Sequence, residues 1–245
     1  MGKPGTLTKD KLGNSMPVNA PLYGRLPVMY KGVSMLIYEY VTDANAAAAL
    51  LPAQLELEND PPIITMLFAE YQWSSLGPYN EIAQTIGCKY NGKSMKYTTL
   101  LHVTNDTALT MGRECGGIPK KMGHIPFGRD PNYSCRLERP LGTRICSAVM
   151  QQTVKASFAL PNLDFISLRL IPNIETPDTP SLRQLMQTTW IFQNGELWLA
   201  NGSFTFEGMN DLDPYCKLPV LQTEARMLYI GEMQVAQQAK VLENF

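Results

Sequence analysis

Asn91-Gly92, set between two strand-like runs, constrains the fold of this chain more than any other short feature. Asn-Gly readily takes the left-handed backbone of a two-residue hairpin turn. YNEIAQTIGCKYN (79–91) and SMKYTTLLHVTN (94–105) are therefore expected to fold back on each other. Further β-rich runs are VSMLIYEYV (33–41), PPIITMLFAEYQW (61–73), YSCRLER, TRICSAVMQQTV and FISLRLIP. Asn194-Gly195 predicts a second hairpin, between LRQLMQTTWIFQ and GELWLANGSFTF. Helical signals are few. TDANAAAALLP (42–52) has Thr42 or Asp43 as cap and Pro52 as stop. DTALTMGREC (106–115) has Asp106 as cap and Gly116-Gly117 as stop. LQTEARMLYIGEMQVAQQAKVL (221–242) reads as a C-terminal helix interrupted by Gly231. No βαβ alternation occurs, so the expected class is α+β and mostly antiparallel: a curved sheet or cone-like β-barrel with a few packed helices. Residues 1–25 are Gly/Pro/polar and read as an arm; 26–245 read as one domain.

Composition narrows the function classes. A net charge of -1 gives no electrostatic case for nucleic acid or a membrane surface as partner. The five cysteines are scattered without a CxxC pair, and His102 and His124 are the only histidines, so a zinc site is not expected. There is no P-loop and no GxGxxG. The first residues lack the apolar core of a secretory signal, and no apolar run approaches the ~18 residues of a membrane span. The expectation is a cytoplasmic protein with reduced thiols.

One motif carries chemistry. GGIPKKMGHIPFG (116–128) sets Lys120 and Lys121 side by side behind Pro119, among small and apolar residues. A lysine attacks a carbonyl only as the free amine. At an ordinary pKa of ~10.4, only a few amines in ten thousand are free at pH 7. A Schiff-base lysine near 6 needs about 6 kcal/mol of preference for the neutral form. Two ammonium groups ~6 Å apart at an effective dielectric of ~20 repel by about 2.8 kcal/mol. Adjacent residues in extended backbone point opposite ways, which lowers that contribution. Desolvation by apolar neighbours such as Ile118 and Met122 must then supply much of the rest. Against this stands the plain alternative of a solvated turn.

The block MGRECGGIPKKMG resembles the signature of the acetoacetate decarboxylase family: Gly-Arg-Glu, a short gap, then Pro-Lys-Lys. YVTDANAAAALLP, LGPYNEIAQTI, LRLIPN and MNDLDPYCKLPV are similar to family segments in the same order. The resemblance implies Lys120 as the Schiff-base lysine, Lys121 as its cationic neighbour and Glu81 as a proton-shuttling carboxylate, with no added cofactor and a homo-oligomeric assembly. Strand alternation adds Tyr79 to the face of Glu81 and turns Gln84 away. Two departures stand out. Val41 occupies the place of an arginine, and Met66 that of an acidic residue, which implies a more apolar pocket mouth. Arg113 and Glu114 are expected as structural residues, forming a buried ion pair or hydrogen-bonding the loop backbone, and His124 and Cys115 as structural residues.

The expected substrate is a small keto acid, ketone or aldehyde. The leading reading is decarboxylation of a β-keto acid larger or less polar than acetoacetate. The alternatives are aldol condensation with dehydration through the same lysine, or non-catalytic binding of a carbonyl or apolar ligand.

Overall fold

The computed structural model describes residues 2–208, 210–236 and 239–245. Its strands, in chain order, are β1 (Val28–Val41), β2 (Glu56–Leu57), β3 (Ile63–Ser74), β4 (Tyr79–Tyr90), β5 (Lys93–Val103), β6 (Lys120–Met122) and β7 (Phe127–Gly128). They continue with β8 (Tyr133–Glu138), β9 (Arg144–Lys155), β10 (Leu163–Ile171), β11 (Leu182–Phe206), β12 (Gln222–Val235) and β13 (Lys240–Asn244). Two α-helices, α1 (Ala44–Ala48) and α2 (Asp106–Gly116), interrupt them. No helix among the described residues is long and apolar enough to cross a membrane.

The expected antiparallel sheet is present. Its main path runs β10-β5-β4-β3-β1-β12-β11-β9-β8-β7, and β10 also pairs with β11, so the pairings close into a ring. Among the described residues only β5 with β6 and β5 with β10 run parallel. The β4–β5 hairpin turns at Asn91 (φ 49°) and Gly92 (φ 77°), as the dipeptide predicts. Asp43 caps α1 through Ala46 N–H. The cap of α2 is Asn105, one residue before the expected Asp106, and its side chain accepts from Ala108 N–H. Gly117, at φ 66°, ends α2 in the left-handed conformation that favours glycine.

Two expectations fail. Asn194-Gly195 does not turn the chain: β11 runs straight through it and absorbs it as a bulge between Gln193 and Glu196. Asn194 keeps its positive φ of 45°, but β12 pairs with β11 on both sides of the bulge and holds the strand in line. The predicted C-terminal helix over 221–242 is instead β12 and β13. β12 lies between β1 and β11, so both its edges are paired, and its two faces enter different cores, Leu228 one and Tyr229 and Met233 the other. Such a strand lacks clean alternation, and its helix-favouring residues yield to sheet pairing.

The central strands separate two apolar cores. Met35, Ala69, Tyr71, Tyr79, Leu101 and Val103 belong to one, together with Ala108 and Met111 of α2. Leu36, Tyr38, Met66, Phe68 and Ile82 belong to the other, with Leu137, Cys146 and Ala148 from β8 and β9. Neighbouring residues on one strand therefore enter different cores.

Candidate active site

The lysine pair straddles this division. β6 lies parallel to β5, with Lys120 in register with Leu101 and Lys121 with His102. On the other side of β5, Glu81 of β4 is in register with Val103. Leu101 and Val103 share a face, so alternation brings Lys120 and Glu81 together. Lys120 Nζ lies 3.0 Å from Glu81 Oε2, and the two residues are 7% and 3% exposed. An ion pair this buried keeps its strength only with its remaining polar atoms satisfied. Tyr71 donates to Glu81 Oε1 at 3.2 Å, and Lys120 Nζ sits 5.7 Å from the centre of the Tyr79 ring. Tyr30 and Tyr79 share a hydroxyl–hydroxyl hydrogen bond of 3.2 Å. Burial, reinforced by the Glu81 carboxylate, pushes the Tyr30 and Tyr71 hydroxyls far above their ordinary range. Burial does the same to Tyr79, followed by Tyr30 and Glu81. All three remain O–H donors at working pH.

The amine opens onto a cavity of about 50 Å³, lined by Tyr30, Met111, Gly112, Cys115, Ile118 and Thr188 among others. Among the described residues Lys120 is its sole charged lining residue, so the chamber is apolar around the amine. Gly112 lets α2 approach this closely. A Cβ there would stand 2.6 Å from Lys120 Cδ and 2.7 Å from Cε.

Lys121 faces the opposite core. Its Nζ is 3.0 Å from Asp213 Oδ1, and it also donates to the Leu212 carbonyl. Asp213 is fully buried and accepts further from His102 Nε2 at 2.9 Å and Arg139 Nε at 3.0 Å. Asn210 Nδ2 adds a contact at 3.2 Å. Burial alone would raise the Asp213 carboxyl, but Lys121 and His102 hold it below the usual carboxylate range. Burial lowers His102 to about 4 against the pull of Asp213, so the imidazole is neutral at pH 7. A carboxylate can only accept; Nε2 therefore carries the proton, and Nδ1 accepts from the Tyr215 hydroxyl at 2.8 Å. Tuning of Lys120 by an adjacent Lys121 ammonium loses its geometry here, because the second charge points through the sheet and is neutralised there.

Residues 15–244 match the sequence profile of the family described as acetoacetate decarboxylase (ADC). The chain belongs to this family. It is 29% identical over 228 residues to Decarboxylase DEC1 of Cochliobolus heterostrophus, covering 89% of this chain and 90% of that one. A solved acetoacetate decarboxylase superposes with a TM-score of 0.86 at 23% identity, over 97% of this chain and 99% of the other. The enduracididine biosynthesis enzyme MppR, complexed with pyruvate, has the same fold: TM-score 0.74, 18% identity, 90% of this chain and 92% of that one.

The family's departures fall elsewhere than the sequence places them. Met66 is fully buried in the core opposite Lys120. Val41 ends β1, six residues beyond Met35, which the register links through Ala69 to Glu81. At ~3.3 Å per residue that is about 20 Å along the strand. Neither residue lines the chamber, so an apolar pocket mouth made by them is not found. Ile118 does line it; Met122 is 42% exposed and lies outside. Pro119 is half-buried beside Lys120. Arg113 is exposed and makes no ion pair among the described residues, while Glu114 accepts from the Tyr23 hydroxyl, so the expected Arg113–Glu114 pair is absent. Gln84 turns away, as alternation requires, and donates to Tyr40 and to the Tyr215 carbonyl. His124 is exposed, on an isolated bridge with Glu138.

Sequence reasoning missed Tyr30, Tyr71, Gly112, His102, Asp213, Tyr215 and Arg139 as site residues. Tyr71 was within reach: pairing PPIITMLFAEYQW antiparallel to the Glu81 strand sets it on the same face.

Proposed function

We propose that this enzyme is a Schiff-base lyase that decarboxylates a β-keto acid larger than acetoacetate, with Lys120 as nucleophile and Glu81 as its proton partner. The carrying observation is the Lys120–Glu81 contact of 3.0 Å at the wall of an apolar chamber. Glu81 takes a proton from the ammonium, leaving a free amine and a carboxylic acid. The amine adds to the substrate ketone, and the carbinolamine loses its hydroxyl as water with a proton from Glu81. The resulting iminium accepts the electron pair released when CO2 departs. Protonation of the enamine carbon by Glu81, reprotonated from solvent, and hydrolysis of the iminium return the amine. An apolar site favours these steps, since the substrate carboxylate loses its charge as CO2 forms.

The pyruvate-bound MppR neighbour supports a second reading, in which the Lys120 enamine attacks an aldehyde and the adduct dehydrates. Val41 and Met66 lend it no weight, because both lie away from the chamber. Borohydride trapping tests both readings, with acetoacetate, pyruvate and a longer β-keto acid offered separately and the product read by intact mass and peptide mapping. The expected result is a reduced adduct on Lys120 whose mass shows loss of CO2 from the keto acids. An adduct retaining CO2, with unsaturated product formed only when an aldehyde is added, would favour condensation. No adduct in folded protein would leave ligand binding as the function.

A further inference from the structure

The reaction chamber is small. Its volume of about 50 Å³ corresponds to roughly four water-sized positions, enough for a ketone and its nearest carbons only. Leu26, Met111 and Cys115 line it, and the same three residues line a second, wider hollow of about 700 Å³. These three side chains form the wall between the two spaces, and their displacement would join them.

The outer hollow differs in charge. Arg25 and Arg169 line it, and neither has a carboxylate partner among the described residues. Arg169 donates once, from Nη1 to the amide oxygen of Gln184 at 3.1 Å, and its Nε has no partner. A guanidinium carries five N–H donors, so most of this capacity is unspent. Among the described residues Glu114 is the single acidic lining residue, one of its oxygens accepting from the Tyr23 hydroxyl, and two guanidiniums against one carboxylate leave the lining net positive. Gly117 fixes the place of Arg169 relative to the lysine: a Cβ on Gly117 would meet Arg169 Cβ at 2.5 Å. Only Ile118 and Pro119 lie between Gly117 and Lys120, and Lys120 N–H turns back to the Ile118 carbonyl at 2.7 Å, so the two α-carbons are no more than about 10 Å apart.

We propose that the outer hollow is a subsite for a second, distal carboxylate, which makes the substrate a medium-length keto acid bearing an acid at each end, with Arg169 as the residue that selects it. This rests on the reading of Lys120 as the reacting amine. The ketone enters the apolar chamber, the methylene chain passes Leu26 and Met111, and the far carboxylate accepts two parallel hydrogen bonds from Arg169, with Arg25 adding charge. Arg169 acts on selection and not on bond breaking.

The test separates the subsite from the chemistry by using ligands with no ketone. Suberate and octanoate have the same length and differ in one carboxylate. Calorimetric titration is expected to show suberate binding at least ten-fold tighter to the native enzyme. Arg169→Gln should bring the two within about two-fold, and Arg169→Lys should restore part of the difference. In parallel, kcat/KM for the 3-oxo diacids of six, eight and ten carbons is compared with that for the 3-oxo monoacids. The diacid-to-monoacid ratio is expected to peak within this series and to collapse in Arg169→Gln. Equal affinity for suberate and octanoate, or a preference that survives both Arg169→Gln and Arg25→Gln, overturns the subsite even where borohydride still traps Lys120. A suberate preference lost in Arg169→Gln, in protein that borohydride cannot trap, upholds the subsite and rejects the Schiff-base reading.

Discussion

Lys120 and Lys121 are neighbours in sequence and opposites in setting. On one face of β6, Lys120 meets one carboxylate, three tyrosine hydroxyls close by and an apolar chamber. On the other, Lys121 meets a carboxylate already shared with His102, Arg139 and Asn210. The first arrangement leaves a reactive group with room for a partner. The second satisfies every oxygen of Asp213 and ties the loop before β12 to β6. A pair that reads as one motif thus divides into a chemical half and a structural half.

The comparison can be broken most sharply by Lys120→Ala. We expect a loss of turnover of at least ~10⁴-fold and no borohydride adduct, with a lowered melting temperature because the buried Glu81 loses its partner. Retained activity would place the chemistry elsewhere. Glu81→Gln is expected to lower kcat by ~10²–10⁴-fold, as loss of a general acid–base does.

Asp213→Ala should do the reverse, costing stability first. Removing one partner of a buried charge cluster typically costs 3–5 kcal/mol. The lower end, about 3 kcal/mol, applies here because Lys121 and Arg139 side chains are 30% and 31% exposed and would be partly rehydrated. Denaturant midpoints measure this, and an unchanged midpoint would make the cluster dispensable.

His102 supplies a pH signature of the structural half. Its folded value is about 4, against ~6.5 in an unfolded chain. Between these values the unfolded state binds the proton more readily, so stability falls as pH drops through that window. The lowered Asp213 carboxyl adds a further loss below ~4, where the folded state resists its protonation. Melting temperature should therefore decline from about pH 6.5 towards 4 in the native enzyme, and less steeply in His102→Gln. Equal slopes would contradict a neutral buried imidazole.

The smallest effect is the most diagnostic. Lys121→Met should cost some stability, yet shift the pH profile of Lys120 trapping by less than about one unit, since the two charges lie on opposite faces of the strand. A larger shift would restore charge–charge tuning through the sheet.

Much of this was legible in the chain. Asn91-Gly92 turned where expected, because its positive φ angles suit a two-residue hairpin and β4 and β5 pair directly across it. Alternation set Tyr79 with Glu81 and turned Gln84 away. The same dipeptide at Asn194-Gly195 was ambiguous: its positive φ suits a turn or a bulge, and β12 pairing across both halves chose the bulge. The C-terminal run 221–242 misled because β12 puts apolar residues on both faces, Leu228 into one core and Tyr229 and Met233 into the other, which hides a period of two.

Local sequence determined what each residue can be: an amine among apolar neighbours, a turn, a cap, a strand with two faces. Only the tertiary structure decided what each residue meets. Glu81 reaches Lys120 across 39 residues of chain, and Asp213 reaches Lys121 across 92. Strand register sets the first contact, and the packing of the loop between β11 and β12 onto β6 sets the second; both depend on how distant strands pair, so no short stretch of sequence contains them.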